Sequence, residues 1–148
     1  MLLCAALIIA MKNNILIPNK SVGKYIIGEK IHSYLSLNHF HEHCVESYFE
    51  YDRYEFPDDD IIVYVEDEII QSISCKKTCF WQGVNLIRMN FEFFLKYYKV
   101  MYDSQDEIFM RVAERCQTQK VYDFDKIGLQ IWVWRNLIRT VIVSKYNY

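Results

Sequence analysis

Apolar and polar residues alternate along two stretches of the chain that resemble β-hairpins. Residues 61–75, IIVYVEDEIIQSISC, form two apolar runs that meet at Asp67-Glu68, and residues 129–143, LQIWVWRNLIRTVIV, form two that meet at Arg135-Asn136. Short apolar runs separated by two turn residues are typical of hairpins, and asparagine tolerates the positive φ of a tight turn. The pattern predicts two hairpins, each with one face that packs on a core.

Upstream of each hairpin, apolar residues recur every three or four positions instead of every second position. This spacing predicts helices over residues 29–37 and 91–101. Asn90 is placed to cap the second of these helices. An extended segment is predicted between each helix and its hairpin, over residues 47–56 and 120–124. The apolar residues at helical spacing are Ile31, Tyr34 and Leu35 in the first segment and Phe91, Phe94, Leu95 and Tyr98 in the second. Residues 102–115 are predicted to be a polar connection that holds at most a short helix.

The two patterned stretches align on each other. Residues 54–73 match residues 122–141 without a gap at an offset of 68, and residues 27–35 match residues 87–95 more weakly at an offset of 60. Such self-similarity is the mark of an internal repeat. The sequence therefore predicts two copies of one strand-helix-strand-hairpin unit, approximately 24–75 and 84–143.

The expected architecture is a single α+β domain over residues 11–148, with one or two antiparallel sheets and two helices. Residues 1–10, MLLCAALIIA, are apolar but are shorter than the roughly 20 residues that span a bilayer and lack the basic start of a secretory signal. They are interpreted as a doubtful extension ahead of Met11, with an N-terminal strand or a membrane-dipping segment as the alternative. Five cysteines at irregular spacing favour a reducing cytosol, so the expected location is cytoplasmic, without a membrane.

Motifs of catalysis are missing from the sequence. It has no glycine-rich phosphate loop, no nucleophile elbow, no His-Glu-x-x-His motif and no paired CxxC, and only 4 glycines in total. A non-enzymatic function without a cofactor is therefore favoured.

Two clusters contain residue types that bind metals. His39, His41 and His43 would share one face of a strand and reach a single divalent ion, whereas at the end of a helix they would cap carbonyls instead. Cys75 and Cys79 flank a short turn and form either a zinc or redox pair or two ordinary thiols. Because no further ligands stand out, no metal is predicted.

Aromatic side chains on sheet faces raise the alternative of single-stranded nucleic acid, whose bases stack on such rings. The aromatic residues concerned are Tyr48, Tyr64, Phe80, Trp132 and Trp134. Phosphate attraction would also need a basic face, but the first hairpin is strongly acidic. No nucleic-acid partner is therefore predicted, and core packing accounts for most of the rings.

Charge is distributed unevenly along the chain. The net charge is −2, yet residues 46–68 hold ten acids and one base. The acids concentrate in the loop before the first hairpin and at its tip, whereas the matching positions of the second copy are not acidic. A solvated loop is the ordinary explanation of such a run. The alternative is a surface for a positively charged protein, with tyrosines as anchors.

A resemblance is carried by KSVGKYIIGEKIHSYL (20–35) and GLQIWVWRNLIRTVIVS (128–144). With an acidic chain that has no catalytic motif, these segments resemble small bacterial immunity proteins of polymorphic-toxin and contact-dependent-inhibition systems. The resemblance implies a role, the neutralisation of a cognate toxin that is often a nuclease, and transfers no functional residue.

Resemblance and charge together predict a surface that binds a basic toxin domain, because a nuclease presents cations to phosphates. The predicted partner-binding residues are Tyr54, Asp58, Asp59, Asp60, Tyr64, Glu66, Asp67 and Glu68. Asp103, Asp106 and Glu107 form a second candidate patch. The remaining alternatives are an interaction module for another basic protein and a small metal-binding protein built on the three histidines.

Overall fold

The computed structural model describes residues 13–145, so the predictions for residues 1–10 lie outside the described residues. The first strands are β1 (Leu16–Ile17), β2 (Ser21–Val22), β3 (Tyr25–Ile26), β4 (Phe40–Val45), β5 (Glu50–Phe56), β6 (Ile61–Glu66) and β7 (Ile69–Cys75). They are followed by β8 (Phe80–Trp81), β9 (Val84–Asn85), helix α1 (Phe91–Tyr98), β10 (Ser104–Val112), β11 (Arg115–Phe124), β12 (Leu129–Trp134) and β13 (Leu137–Ser144). Two 3₁₀ turns, Ile31–Tyr34 and Asp125–Ile127, complete the described elements.

Eight strands form one antiparallel sheet in the order β10-β11-β12-β13-β7-β6-β5-β4. It consists of two four-stranded meanders, β4–β7 and β10–β13, which meet where β7 pairs with β13. In that pairing Cys75 lies opposite Val141 and Ile73 lies opposite Val143. Val141 lies 68 positions after Ile73, and Val143 lies 68 positions after Cys75, so the two pairs are equivalent to each other. A local twofold axis therefore passes through the sheet between Ser74 and Ile142.

Both hairpins of the two meanders have the same backbone irregularity. The register shifts between Tyr64 and Val65 in β6 and between Trp132 and Val133 in β12, again 68 residues apart. Their turn residues have positive φ, 49° and 65° at Asp67 and Glu68, and 51° and 65° at Arg135 and Asn136. Such angles belong to the tight turns that match the twist of paired strands.

The core lies on one face of the large sheet, which we call the covered face. Alternate strand residues point to opposite sides, and the covered side carries Ile61, Val63 and Val65 of β6 and Leu129, Ile131 and Val133 of β12. The N-terminal strands, the first 3₁₀ turn and α1 pack there, through residues such as Tyr25, Ile31 and Phe94. Among the described residues, no strand residue of the opposite side, which we call the open face, belongs to this core cluster, although Ile62, Ser74, Gln119, Val121 and Thr140 near its centre are themselves buried.

The predicted α+β class with two helices is wrong. Of the described residues 54% are in strands and 11% are helical, with a single α-helix. Residues 29–37 form only the 3₁₀ turn Ile31–Tyr34, whose preceding residue, Lys30, provides no capping side chain. At the corresponding place the side-chain oxygen of Asn90 accepts a hydrogen bond from the Phe93 N–H (3.0 Å), as predicted, and α1 forms. The helix ends at Tyr98 because Lys99 is left-handed, not at the predicted residue 101.

The repeating unit also differs from the predicted strand-helix-strand-hairpin, because each meander begins with an edge strand. The sequence did not predict β10, and it left a strand at β4 as one of two alternatives for the histidine segment. Residues 102–115, expected to be a polar connection, contain β10, and the histidine segment contains β4. Both strands lie at the edges of the sheet, where few side chains are buried. Edge strands that are rich in charge avoid pairing with other chains, and they lack the alternating pattern that identifies a half-buried strand.

Candidate partner-binding groove

The predicted acidic binding residues lie in two groups at opposite ends of β6. Residues 58–60 form the loop before this strand, and residues 66–68 form its last position and the hairpin turn after it. Six strand residues at roughly 3.3 Å each separate the groups by about 20 Å. The structure therefore does not bring the two groups together on one binding surface.

The loop group makes bonds within the protein. The buried hydroxyl of Tyr25 donates a hydrogen bond to the Asp59 carboxylate (2.6 Å), and the Lys24 ammonium lies 3.3 Å from the same oxygen. Burial, followed by the bond to Asp59, raises the pKa of Tyr25. The Lys77 ammonium lies 3.0 Å from the Asp60 carboxylate. Asp59 and Asp60 are thus partly neutralised by groups of the chain itself.

The hairpin-tip group is joined by acids from another turn. Asp52 of β5 lies opposite Val65 of β6, which brings the β4–β5 turn to the same end of the sheet as the β6–β7 tip. Glu46 of that turn and Glu50, the first residue of β5, are exposed, as are Glu66, Asp67 and Glu68. Five carboxylates therefore lie at one end of the first meander.

A groove of about 240 Å³ opens on the open face at this end. We call it the acidic groove, and it is lined by Glu46, Phe49, Tyr51, Tyr64, Glu66, Gln71 and Ser72. The Tyr51 ring contacts the rings of Phe49 and Tyr64, with centroids 5.7 and 6.1 Å apart. Its hydroxyl donates to Glu46 (3.4 Å), and the hydrogen bond with the Cys44 thiol, together with partial burial, raises the pKa of Tyr51 to about 12. Among residues 13–145, no lysine or arginine lines the groove.

Aromatic rings beside the acidic groove are exposed to solvent. Tyr48 in the β4–β5 turn is 99% exposed and Phe49 is 52% exposed. Large aromatic side chains are the usual anchors of protein interfaces when they become buried. The groove therefore combines uncompensated negative charge with apolar surface.

Tyr54, also predicted to bind the partner, lies on the covered face. Its ring stacks on His41 with centroids 4.3 Å apart, and burial raises its pKa. The second candidate patch is divided in a similar way. Asp106 faces the open side and Glu107 the covered side of β10, while Asp103 accepts a hydrogen bond from the Asp125 N–H (2.8 Å).

The histidine segment is a strand, and His41 and His43 are on one face of it. Both imidazoles reach the same carboxylate oxygen of Asp52, at 2.8 and 3.0 Å, and His43 also lies 3.5 Å from Glu50. His39 instead contacts the backbone oxygen of Leu37 (2.8 Å). Within the described part of the chain, no group of three or more metal-ligating side chains is placed to hold an ion. The cluster is an ion-pair network.

We expect this network to make stability depend on pH. The hydrogen bond to Asp52 raises the pKa of His43 above 6.5, and the hydrogen bond to His41 leads the effects that lower the pKa of Asp52 below 3.8. The histidine contribution is complete below pH 6.5 and is lost as pH rises through the raised pKa. The Asp52 contribution is complete above pH 3.8 and is lost as pH falls through the lowered pKa.

Asp52→Asn should therefore move the His43 pKa back toward 6.5 and cost more stability at mildly acidic pH than at alkaline pH. NMR titration of the imidazole protons and urea unfolding at both pH values measure the two effects. Glu42→Gln, on the opposite face of β4, is the matched control. An unchanged His43 titration in Asp52→Asn would contradict the assignment.

The cysteine pair is buried. Cys75 and Cys79 are both free thiols with no exposed surface. The hydrogen bond between them and burial raise the pKa of Cys75, so this thiol remains protonated at neutral pH. A protonated thiol is a weak nucleophile and a weak metal ligand.

The aromatic residues that favoured the nucleic-acid alternative do not form one surface. Tyr64, Trp132 and Trp134 lie on the open face, Tyr48 lies in a turn, and Phe80 belongs to the short β8–β9 hairpin. The two tryptophans lie on the second meander and Tyr64 on the first, beside the carboxylates.

Comparisons with known proteins add nothing to this geometry. The chain matches no family model, no curated protein and no solved structure. Function must therefore be inferred from the site itself.

Of the seven groove residues, the sequence predicted Tyr64 and Glu66, and it missed Glu46, Phe49, Tyr51, Gln71 and Ser72. Phe49 and Tyr51 alternate in step with Arg53 and Glu55, opposite to the buried Phe56. This period-2 pattern was the available signal for a shared face. The position of Glu46 depends on the β4–β5 turn, which required the prediction of an edge strand.

Proposed function

We propose that the protein is a non-catalytic immunity protein that binds and neutralises a cognate bacterial toxin domain, a basic nuclease, through the acidic groove. The observation that carries the proposal is the pair of carboxylates, Glu46 and Glu66, that lines a groove without a lysine or arginine among the described residues, at an end of the sheet where Asp67 and Glu68 are also exposed. On the same face, the guanidinium of Arg53 lies 3.5 Å from Glu55. The resemblance to immunity proteins supports the same role, and a cytoplasmic location is part of the proposal.

The physical basis is the charge of nuclease active sites. A nuclease binds phosphates with lysine and arginine. Carboxylates along a groove can form ion pairs with the same lysine and arginine side chains in place of the phosphates. Opposite charges accelerate association, and buried aromatic rings slow dissociation. In this proposal Glu46 and Glu66 attract the toxin, and Phe49, Tyr51 and Tyr64 anchor it.

The test uses the toxin domain encoded by the neighbouring upstream gene. Cells that express this domain should survive with the wild-type protein and die with the double variant Glu46→Lys/Glu66→Lys. The double variant should reduce the association rate by about tenfold to a hundredfold at low salt, with a smaller difference at high salt. Binding kinetics on purified proteins measure this change.

Asp58→Lys is the matched control, because it reverses an exposed carboxylate of the other acidic group. It should leave survival and kinetics unchanged, whereas an equal loss would assign binding to the β5–β6 loop. If the double variant binds the toxin domain as the wild-type protein does, the groove is not the binding site. If the neighbouring gene encodes no toxin and another basic protein binds the groove, the protein is an interaction module of a different pathway.

A further inference from the structure

The open face has a second depression that corresponds to the acidic groove. This cationic pocket has a volume of about 240 Å³ and is lined by Lys76, Met110, Val112, Gln117, Gln119, Trp134, Arg139 and Thr140. Five of its residues lie 68 positions after groove residues: Phe49, Tyr51, Glu66, Gln71 and Ser72 correspond to Gln117, Gln119, Trp134, Arg139 and Thr140. The local twofold axis thus relates two depressions whose side chains have diverged.

The two depressions differ in charge. The groove is lined by two carboxylates, and the pocket by Lys76 and Arg139 with no acid. The guanidinium of Arg139 lies 5.1 Å from the centre of the Trp134 ring, and that of Arg135 lies 4.4 Å from it. One face of the sheet therefore presents a negative and a positive site in equivalent places.

Two buried polar atoms of the pocket lack partners. Among the described residues, the side-chain oxygen of Gln119 and the Nε–H of Arg139 make no hydrogen bond. Gln119 is only 5% exposed, and its amide nitrogen donates to Gln117 (2.8 Å). A buried donor or acceptor without a partner is costly, and native proteins rarely retain one. Both atoms are closed to solvent, so they can gain partners only when the side chains of the pocket rearrange.

We propose that the open face is the interface of a homodimer, in which the acidic groove of each copy meets the cationic pocket of the other. In this arrangement the carboxylates of Glu46 and Glu66 accept hydrogen bonds from Arg139 and Lys76. The two negative charges of each groove are thereby paired with the two positive charges of the facing pocket.

The symmetry of the sheet allows a closed dimer. The groove and the pocket of one copy lie on opposite sides of the local twofold axis. A second copy turned over about an axis in the plane of the sheet, perpendicular to the line between the two depressions, sets each groove against a pocket. The contact is then made twice, as in an isologous dimer.

The outline of the face is comparable in area with a standard interface. Eight strands about 4.8 Å apart and about 20 Å long give roughly 760 Å² on each copy. A standard stable interface buries about 800 Å² per partner, and sheets pack face to face about 10 Å apart. The dimer does not depend on the proposed function, but its consequence does: a toxin that binds the groove must displace the second copy.

Sedimentation velocity of the full chain without any partner tests the dimer. The wild-type protein should dimerise, more weakly at high salt. Glu66→Arg and Arg139→Glu alone should each raise the dimer dissociation constant by about tenfold or more, because each homodimer then contains two repulsive contacts. An equimolar mixture of the two variants should dimerise again, since in the mixed dimer both contacts are attractive.

Recovery on mixing also shows that both variants are folded. Lys20→Glu and Glu107→Arg, exposed charges away from the open face, are the controls and should dimerise as the wild type does. A wild-type monomer at all concentrations, or no recovery on mixing, would overturn the proposal. So would a monomer whose tryptophans are shielded from iodide, which would assign the face to residues 1–12, or one that binds a fluorescent DNA strand through Trp134.

The dimer and the proposed function can fail separately. Arg139→Glu changes only the pocket, so it should lose the dimer and still protect cells from the toxin. Glu66→Arg should lose both. A protein that is monomeric and yet protective would disprove the dimer alone.

Discussion

Asp59→Ala should lower the free energy of unfolding by about 2–3 kcal/mol, because it leaves the hydroxyl of Tyr25 buried without a partner. Tyr25 is 1% exposed, and its hydroxyl donates to the Asp59 carboxylate at 2.6 Å. A hydrogen bond to a charged group contributes more than a neutral one. The half-exposed Lys24 adds little, because surface ion pairs contribute little to stability.

Urea unfolding of Asp59→Ala and Asp58→Ala separates this effect from a general loss of charge. Asp58 is exposed, and its removal should change stability by no more than about 0.5 kcal/mol. Tyr25→Phe removes the donor instead of the acceptor, so the double variant should lose less than the sum of the two single variants. Equal stability of Asp59→Ala and Asp58→Ala would show that the bond contributes nothing.

The different surroundings of Asp58 and Asp59 show that the acidic stretch of the sequence is not one site in the structure. In the sequence, residues 58–60 and 66–68 belong to the same run of negative charge. In the structure the first group holds the loop against the N-terminal strands, and only the second borders the groove. The separation was predictable, because a strand of six residues lies between a loop and a hairpin turn. What was not predictable was the bond to Tyr25, which joins positions 34 residues apart.

Local signals predicted the elements that depend on local physics. The apolar runs indicated β6, β7, β12 and β13, the turn residues indicated their hairpins, and Asn90 indicated the start of α1. The prediction of the first helix was wrong because its apolar pattern covers few residues and because Lys30 provides no capping side chain. The edge strands were not predicted from their own residue patterns because pairing with β5 and β11 holds them in the sheet. The position of Glu46 in the acidic groove depends on the turn after β4, so this residue was missed.

Gly128→Ala should be more destabilising than Gly28→Ala or Gly83→Ala, at about 2–5 kcal/mol. Gly128 has a φ of 62° and follows the second 3₁₀ turn. Its carbonyl accepts from the Ser144 N–H (2.8 Å), and the neighbouring Ile127 carbonyl accepts from the Asn19 N–H (3.1 Å). A Cβ at residue 128 would collide with the Ser144 carbonyl oxygen and with the Asn19 side-chain oxygen. The N-terminal turn would then have to move away from the second meander.

Gly28→Ala separates the two components of this cost. Gly28 also has a positive φ, 89°, but a Cβ there meets nothing within 4 Å. Its replacement should cost only the backbone term, about 1–2 kcal/mol, and thermal or urea unfolding measures the difference between the variants. Because the excess for Gly128 comes from the contact with Asn19 and Ser144, it should be localised, with faster hydrogen exchange at the Asn19 and Ser144 amides. Equal losses for the two variants would mean that the N-terminal turn yields without cost, and that its attachment to the second meander does not stabilise the fold.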